Sequence, residues 1–447
     1  MRRLAAVAVC VALLGAAAAH AQEKREDREA KVRADKERVG ADAKWIYDDL
    51  PRGVEEAKKS GKPLLVVFRC IPCEACAKLD EDVVTRDPIV AALLDKFVCV
   101  RIPHANGMDL SLFQFDYDQS WAAFFMESDM TILGRYGTRS SQKDSADDVS
   151  LEGFAKALAG ALELHAGFPG NRGLFSDKSN AAMGDGRRPE DLPGLKERYK
   201  TALDWQGKVV PSCIHCHMVN ESLRRSDRAA GSPIRPCLMF PYPNPRVLGL
   251  VLDPKSKATV AAVTAGSSAE KDGFRPGDEI ATLSGEPLLS IADIQWVLHN
   301  CVGADATSLR AQVVREGKTV DMKLSLPAGW RSKGDISWRA SSWDLRRMVT
   351  GGLVLEDVPD DDRKARGLDA ASLALRVKHV GQYGDHAVAK NAGFLKDDVL
   401  VAIAGKSDRV TESALLARLT STTKPGDKLA VTVLRDGKKV ELTLPMQ

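Results

Sequence analysis

Leu64-Leu65-Val66-Val67-Phe68-Arg69-Cys70-Ile71-Pro72-Cys73-Glu74-Ala75-Cys76 is the stretch on which the reading of this chain turns. Its first five residues are apolar on both faces, the pattern of a central buried strand. A cysteine cluster follows, and a helix running through Leu79 and Val83 begins there. Cys73-x-x-Cys76 therefore stands where a strand ends and a helix starts. At that place the helix dipole and open amide N–H groups stabilise a thiolate, and a second thiol is close enough to resolve a mixed disulfide. The same residues leave open a structural disulfide, or a metal set shared among Cys70, Cys73 and Cys76.

Upstream, Trp45-Ile46-Tyr47-Asp48-Asp49-Leu50 leads into a helix through Val54 and Ala57, stopped by Ser60-Gly61-Lys62-Pro63. Downstream come a second buried strand over Phe97–Ile102, a hairpin-like pair around Ala122–Met126 and Thr131–Tyr136, and a helix over Leu151–His165. With Phe68 five residues before Cys73, the segment resembles the thioredoxin fold in spacing and element order. Its flanks, including Lys78-Leu79-Asp80 and Asp87-Pro88, look like single-domain thioredoxin-like proteins of periplasms and secretory compartments. The resemblance implies that Cys73 attacks, that Cys76 resolves, that Cys70 is an additional redox thiol, and that the pair requires no cofactor. Two positions depart from the pattern: Gln119-Ser120-Trp121-Ala122 stands where thioredoxins carry a cis-proline, and Pro72 replaces the usual tryptophan.

Across 447 residues, 64 lysines and arginines face 61 acidic residues, a net charge of +3. No basic block exists to track a phosphate backbone, so no nucleic-acid partner is expected. Met1-Arg2-Arg3, an apolar run from Leu4 to Ala19 and the exit Ala19-His20-Ala21 read as a secretory signal cleaved after Ala21, with an uncleaved anchor as the alternative. An exported, periplasmic or cell-envelope protein with no membrane span after cleavage is the expectation. Cleavage removes Cys10, and most remaining cysteines fall in two short clusters, a pattern of chemistry rather than of a disulfide-stapled scaffold. From Glu23 to Arg38, thirteen of sixteen residues are charged, which predicts an exposed helix or tether.

Residues 166–245 show little periodicity and contain the second cluster, Cys213-Ile214-His215-Cys216-His217. Cys-x-x-Cys-His is the attachment sequence of c-type haem: Cys213 and Cys216 would add to the vinyl groups and His217 would be the axial iron ligand. Met239 or Met218 could be the distal ligand, or the site could be five-coordinate. Zinc or a redox dithiol is the alternative, drawing on Cys213, Cys216, Cys237 and His215 or His217.

The last two hundred residues contain a duplication. Gly273-Phe274-Arg275-Pro276-Gly277-Asp278-Glu279-Ile280 returns 120 positions later as Gly393-Phe394-Leu395-Lys396-Asp397-Asp398-Val399-Leu400, and Arg315-Glu316-Gly317-Lys318 as Arg435-Asp436-Gly437-Lys438. Both copies resemble PDZ domains. In the first, Arg246-Val247-Leu248-Gly249-Leu250-Val251 matches the apolar-Gly-apolar carboxylate loop. The resemblance implies that Leu248, Gly249, Leu250 and Val251 bind a protein or peptide partner, through its C-terminus or an extended segment, with Ser290–Leu298 as the groove helix. In the second, Gly351-Gly352-Leu353-Val354 takes the place of the loop, with about eighteen additional residues before the shared core. PDZ used as a spacer is the alternative for each. No Gly-x-Ser-x-Gly and no defensible histidine–aspartate–serine set accompanies them. His165, His299, His379 and His386 read as isolated packing or surface residues.

The fold expected is multidomain α/β and mainly-β: a signal peptide (1–21), a charged tether or helix (22–42), a thioredoxin-like α/β domain (43–165), a loop-rich connector with the CxxCH motif (166–245), a PDZ domain (246–329), a linker (330–347) and a second PDZ-like domain (348–447). The order resembles a family of bacterial, planctomycete-type thioredoxin-like plus PDZ domain-containing (seleno)proteins, including the stretch Asp109-Leu110-Ser111-Leu112-Phe113-Gln114-Phe115-Asp116-Tyr117-Asp118. Three functions follow: a thiol-disulfide oxidoreductase whose PDZ module holds its redox partner nearby, a haem c electron-transfer protein with a thioredoxin-like companion, or a non-enzymatic scaffold with structural cysteines.

Overall fold

The computed structural model describes residues 26–71, 77–85, 87–141, 148–176, 178, 188–301 and 306–447. The expected signal 1–21 and the pair Cys73 and Cys76 lie outside the described residues.

The quoted strand is central, as its composition predicts. Strands β1 (Trp45–Tyr47), β2 (Leu64–Arg69), β3 (Val98–Ile102), β4 (Trp121–Met126) and β5 (Ile132–Tyr136) lie in the order β1-β3-β2-β4-β5. β1 and β2 run parallel to β3, while β4 and β5 close the other side antiparallel. Leu64, Val66 and Phe68 of β2 enter one apolar core and Leu65 and Val67 the other, so alternation serves two buried faces. The covering helices are α1 (26–40), α2 (Leu50–Ser60), α3 (Ala77–Thr85), α4 (Pro88–Leu94) and α5 (Leu151–Ala166). Local signals set their starts: Asp49 accepts from Arg52 N, Asp87 from Ile89 N and Val90 N, and Ser150 from Gly153 N.

The charged segment is a helix, as one of the two expectations had it, and most of its residues are exposed, but one side of it packs. Helix α1 buries Val32 and Val39. Its Asp35 accepts from the buried Arg101 at 3.1 Å (Nε) and 2.8 Å (Nη2). Its Glu29 accepts from Val209 N and Val210 N at 2.9 and 3.0 Å, capping α6 (Val209–Ser212). Charges that read as solvated are in part the counter-ions and caps of buried donors, which no composition count reveals.

The connector is loop-rich, yet it is core rather than spacer. Beyond α6 it carries α7 (His217–Ala229) and α8 (Pro236–Met239). Leu192, Ile214, Val219, Leu223 and Leu238 join one apolar cluster that runs from Val66 and Phe124 of the first sheet to Leu355, Leu416 and Val433 near the C-terminus. A chain with little periodicity can still fill space between two sheets, since packing needs volume and not repetition.

The first repeated unit comprises β6 (Leu250–Leu252), β7 (Val260–Val263), α9 (Ser268–Lys271), β8 (Glu279–Leu283), β9 (Glu286–Pro287), α10 (Ile291–Asn300), β10 (Thr307–Arg315) and β11 (Lys318–Leu326). Helix α11 (Ser342–Thr350) then precedes the second: β12 (Leu353–Asp357), α12 (Asp360–Ala365), β13 (Leu375–Val380), α13 (Val388–Asn391), β14 (Val399–Ile403), α14 (Glu412–Thr422), β15 (Lys428–Arg435) and β16 (Lys438–Pro445). The duplication extends to side chains. Arg315 binds Asp278 at 2.7 Å and the Gly273 carbonyl at 2.9 Å, and Arg435 binds Asp398 and the Gly393 carbonyl at 2.7 and 2.8 Å.

Candidate functional site

Cys70 directly follows β2, and its N–H donates to Ser120 O at 2.9 Å, just before β4. Behind it, Asp80 of α3 binds Arg69 Nε at 3.2 Å, Arg101 Nη1 at 2.7 Å and the Trp121 indole N–H at 3.1 Å. Burial alone would raise the Asp80 carboxyl; the two guanidinium groups hold it below its ordinary value. The helix after the cysteine cluster is thus locked to the sheet by charge.

The second cluster is brought to the same place. Asn106, after β3, donates to Ser212 O at 3.0 Å and accepts from Ile214 N at 2.7 Å, while Ala105 N donates to Ile214 O at 3.0 Å. This strap lays Cys213–His217 across the C-terminal end of the β2–β3 pair. Cys70 Sγ then lies 3.3 Å from His215 Nδ1. Cys70, Cys213, His215 and Cys216 line one crevice with Gln119, Ser120 and Trp121. The crevice holds about 10 Å³, room for roughly one water.

Burial pushes the Cys213 thiol well up, with Cys70 and Cys216 adding to it, and burial with Cys70 likewise raises Cys216. Burial, helped by His217 and Arg28, pushes His215 down to about 4. At neutral pH Cys213 and Cys216 are thiols beside a neutral imidazole. His217 behaves oppositely. Burial opposes its charge, but Glu221 at 2.9 Å, one turn along α7, raises it above its ordinary value.

Haem attachment fits this arrangement poorly. Both thiols that would carry it face the one-water crevice, and Cys216 is 8 % exposed within the apolar core. A porphyrin would have to displace the connector from the first sheet. Met239 is buried, and its sulfur takes a 3.7 Å hydrogen bond from Thr420 Oγ1 of α14. For zinc, no group of three or more His, Cys, Asp or Glu side chains among the described residues is arranged to hold a metal ion. Cys237 lies on α8.

The segment expected as a peptide loop is a tight turn, and the helix expected to line its groove is packed against other parts of the chain. Pro245–Leu248 is a short 3-10 turn, Gly249 reverses the chain at φ +92° with its N–H given to the Arg246 carbonyl, and Leu250 and Val251 pair with β7. Leu248 and Leu250 are buried. The groove helix α10 is buried from Ile291 to Leu298. Tyr242 stacks on its His299 at 4.0 Å and accepts from Gln295 Nε2 at 3.0 Å. At the other end Asp293 accepts from Arg135 N of β5 and binds Lys178 Nζ at 3.1 and 3.2 Å, and Leu289 sits in the core of the first sheet. In the second unit Glu412 of α14 accepts from Leu355 N at 2.7 Å and binds Arg346 of α11, which fills that space. Gly351 and Gly352 close α11 instead of forming an open cradle: the N–H of each donates to Arg346 O.

Several residues at the site carry no motif. His104 holds Asp48 at 2.8 Å and lines both the cysteine crevice and an adjoining, mainly apolar groove of about 660 Å³. Gln119 Oε1 and Ser120 Oγ are buried in the crevice wall without hydrogen-bond partners among the described residues. The departure from the thioredoxin pattern at Gln119-Ser120 was the available signal for them.

Residues 45–128 match the family model described as Thioredoxin-like. Among curated proteins the chain is similar to a probable periplasmic serine endoprotease DegP-like of Pseudomonas fluorescens, 25 % identical over 197 residues, covering 44 % of this chain and 39 % of that protein. It is also similar to the periplasmic pH-dependent serine endoprotease DegQ of Escherichia coli, 24 % identical over 193 residues, with 43 % and 37 % covered. The chain spans about two fifths of the length of these curated relatives. Its structural neighbours include the PDZ domain of EpsC from Vibrio cholerae (22 % identity, 21 % of this chain and 93 % of that one, TM-score 0.15). Another is the HtrA-type protease AlgW with a decapeptide (16 % identity, 31 % and 48 %, TM-score 0.20). The chain therefore contains a thioredoxin-like domain at residues 45–128 and has PDZ- and HtrA-type structural neighbours.

Proposed function

We propose that this is an exported thiol–disulfide exchange protein in which the Cys70, Cys73 and Cys76 cluster reacts with a protein partner and Cys213 and Cys216 form a second dithiol serving it. The 3.3 Å approach of His215 to Cys70, with both connector thiols on the same crevice, carries this reading. A thiolate of the first cluster attacks a partner disulfide and releases one partner thiolate; a second cluster thiol displaces the other, leaving a reduced partner and a protein disulfide. Cys213 and Cys216 then take up that disulfide by the same two-step exchange, and the first cluster regains its thiols. The sequence is reversible. Export is supported by the Met1–Ala21 signal pattern and by likeness to periplasmic proteins. The repeated units act first as the frame that presses the connector on the thioredoxin-like domain. Recruitment of a partner peptide at Leu248–Val251 would require the Tyr242 segment to leave α10.

The test is insulin-disulfide reduction, and oxidation of a reduced model protein, by the full chain. Cys73→Ser/Cys76→Ser should abolish activity, and Cys213→Ser/Cys216→Ser should leave a single turnover but block the return. Full activity in the first variant would overturn the reading. A second reading rests on the Cys-x-x-Cys-His sequence, with Glu221 engaging His217 Nδ1, and it requires the packed connector to open for a haem. A pyridine haemochrome signal from protein matured in a competent host, lost in Cys213→Ala/Cys216→Ala, would establish it.

A further inference from the structure

A mainly apolar groove of about 660 Å³ adjoins the cysteine crevice. Buried Phe68, Ile102 and Phe113 line it with the partly exposed Leu50, Leu112 and Met130. Phe68, Ile102 and His104 belong to both walls, so whatever lies in the groove lies next to the wall that holds Cys70. The groove follows the β3 side of that cluster. Gln119, Ser120 and Trp121, on the β4 side, line the crevice and not the groove, and no residue of either repeated unit lines it.

Two non-glycine residues of this groove have left-handed backbone, Asp48 at φ +57° and Met130 at φ +69°. Aspartate tolerates that conformation, whereas a bulky side chain disfavours it. Met130 sits in the turn between β4 and β5, where Glu127 N donates to Thr131 O at 2.8 Å and Met130 N to Glu127 O at 2.9 Å. Glycine or asparagine would fit there without strain. Methionine instead puts a long, adaptable apolar side chain on the groove, packed beside the core of the first sheet. The charged side chains that line the groove are acidic, Asp48 and Asp109, apart from His104, which Asp48 holds at 2.8 Å. An apolar side chain with a cationic neighbour is complementary to such a surface.

We propose that this groove docks a polypeptide of the redox partner, taking an apolar side chain that stands beside a basic residue and within a few residues of the partner's disulfide. The inference rests on the thiol-exchange reading above and names its substrate class. Docking on the β3 side raises the effective concentration of the partner disulfide at the Cys70, Cys73 and Cys76 cluster.

Calorimetry on the full chain uses two sulfur-free peptides, N-acetyl-Leu-Phe-Lys-Gly-Ser-amide and N-acetyl-Ser-Ser-Glu-Gly-Ser-amide, and so reads docking without redox chemistry. Single-turnover reduction by the pre-reduced chain uses the disulfide-linked dimers of the same peptides with cysteine in place of the last serine. Each turnover releases two peptide thiols and leaves one protein disulfide. Saturable binding of the first peptide, about tenfold or more tighter than the second, is expected, with its dimer reduced about tenfold faster. Met130→Asn, which suits the turn, should keep the thermal melt and weaken binding about threefold or more. Leu112→Lys, which sets a cation against the peptide lysine, should weaken it about tenfold or more. Preferential binding without reduction of either dimer keeps the docking groove and overturns the thiol-exchange reading. Reduction of both dimers at equal rates, with no preference in binding, overturns the groove alone. No saturable binding up to about 10 mM, indifference to both variants, or a dimer of the chain that Leu112→Lys abolishes also overturns it.

Discussion

Cys70 Sγ lies 3.3 Å from His215 Nδ1 across 145 positions of sequence. Burial keeps His215 neutral at pH 7, and in the tautomer protonated at Nε2 its Nδ1 accepts the Cys70 S–H and orients that thiol. His215→Gln should slow iodoacetamide alkylation of Cys70, read by mass spectrometry on the full chain, by about tenfold or more. An unchanged rate would mean that the contact is packing only.

Stability should depend on acid through the same ring. Burial holds His215 at about 4 and His299 at about 3, against an ordinary value of 6.5. Below 6.5 the unfolded chain takes up protons that the folded chain refuses. The stabilisation is therefore complete above pH 6.5 and lost progressively as pH falls toward 4 and 3. The melting temperature should drop between pH 7 and pH 4, and His299→Gln should flatten that drop. A melt independent of pH over this range would contradict it.

Arg101 joins α1 to α3 through Asp35 and Asp80 with no exposed side-chain surface. Arg101→Met would strand two buried carboxylates and should cost about 3–5 kcal/mol in urea unfolding. A loss below about 1 kcal/mol would show the pairs to be solvated.

Glycine in a helix is ordinarily a weakness, and replacement by alanine gains up to about 1 kcal/mol. Gly153 in α5 should behave oppositely. A Cβ there would meet Pro254 O at 2.1 Å and Tyr136 Oη at 3.1 Å, where α5 rests on the first repeated unit. Gly153→Ala should lower stability by about 1–3 kcal/mol and weaken the adjacent Ser150–Pro254 hydrogen bond of 2.8 Å. A stabilised variant would show that the two units separate freely.

Local pattern was enough for β2, for the capped helices α2 and α5, and for the duplication, whose 120-residue offset reaches the paired ions Arg315–Asp278 and Arg435–Asp398. These features rest on neighbours a few residues apart or on direct self-comparison, so the amino-acid order determines them. The two cysteine clusters, Cys70, Cys73 and Cys76 and Cys213 and Cys216, could likewise be picked out from spacing alone.

Which thiols meet, which charges are buried and which grooves are full were decided by the tertiary structure alone. Glu29 capping α6, His215 reaching Cys70, Tyr242 covering α10 and Glu412 bonding β12 all join distant segments. Each depends on how large apolar faces stack in three dimensions, and stacking is selected by total buried volume rather than by any short motif. A five-residue cysteine–histidine string can therefore name a chemistry, while the packing around it sets how much room that chemistry has.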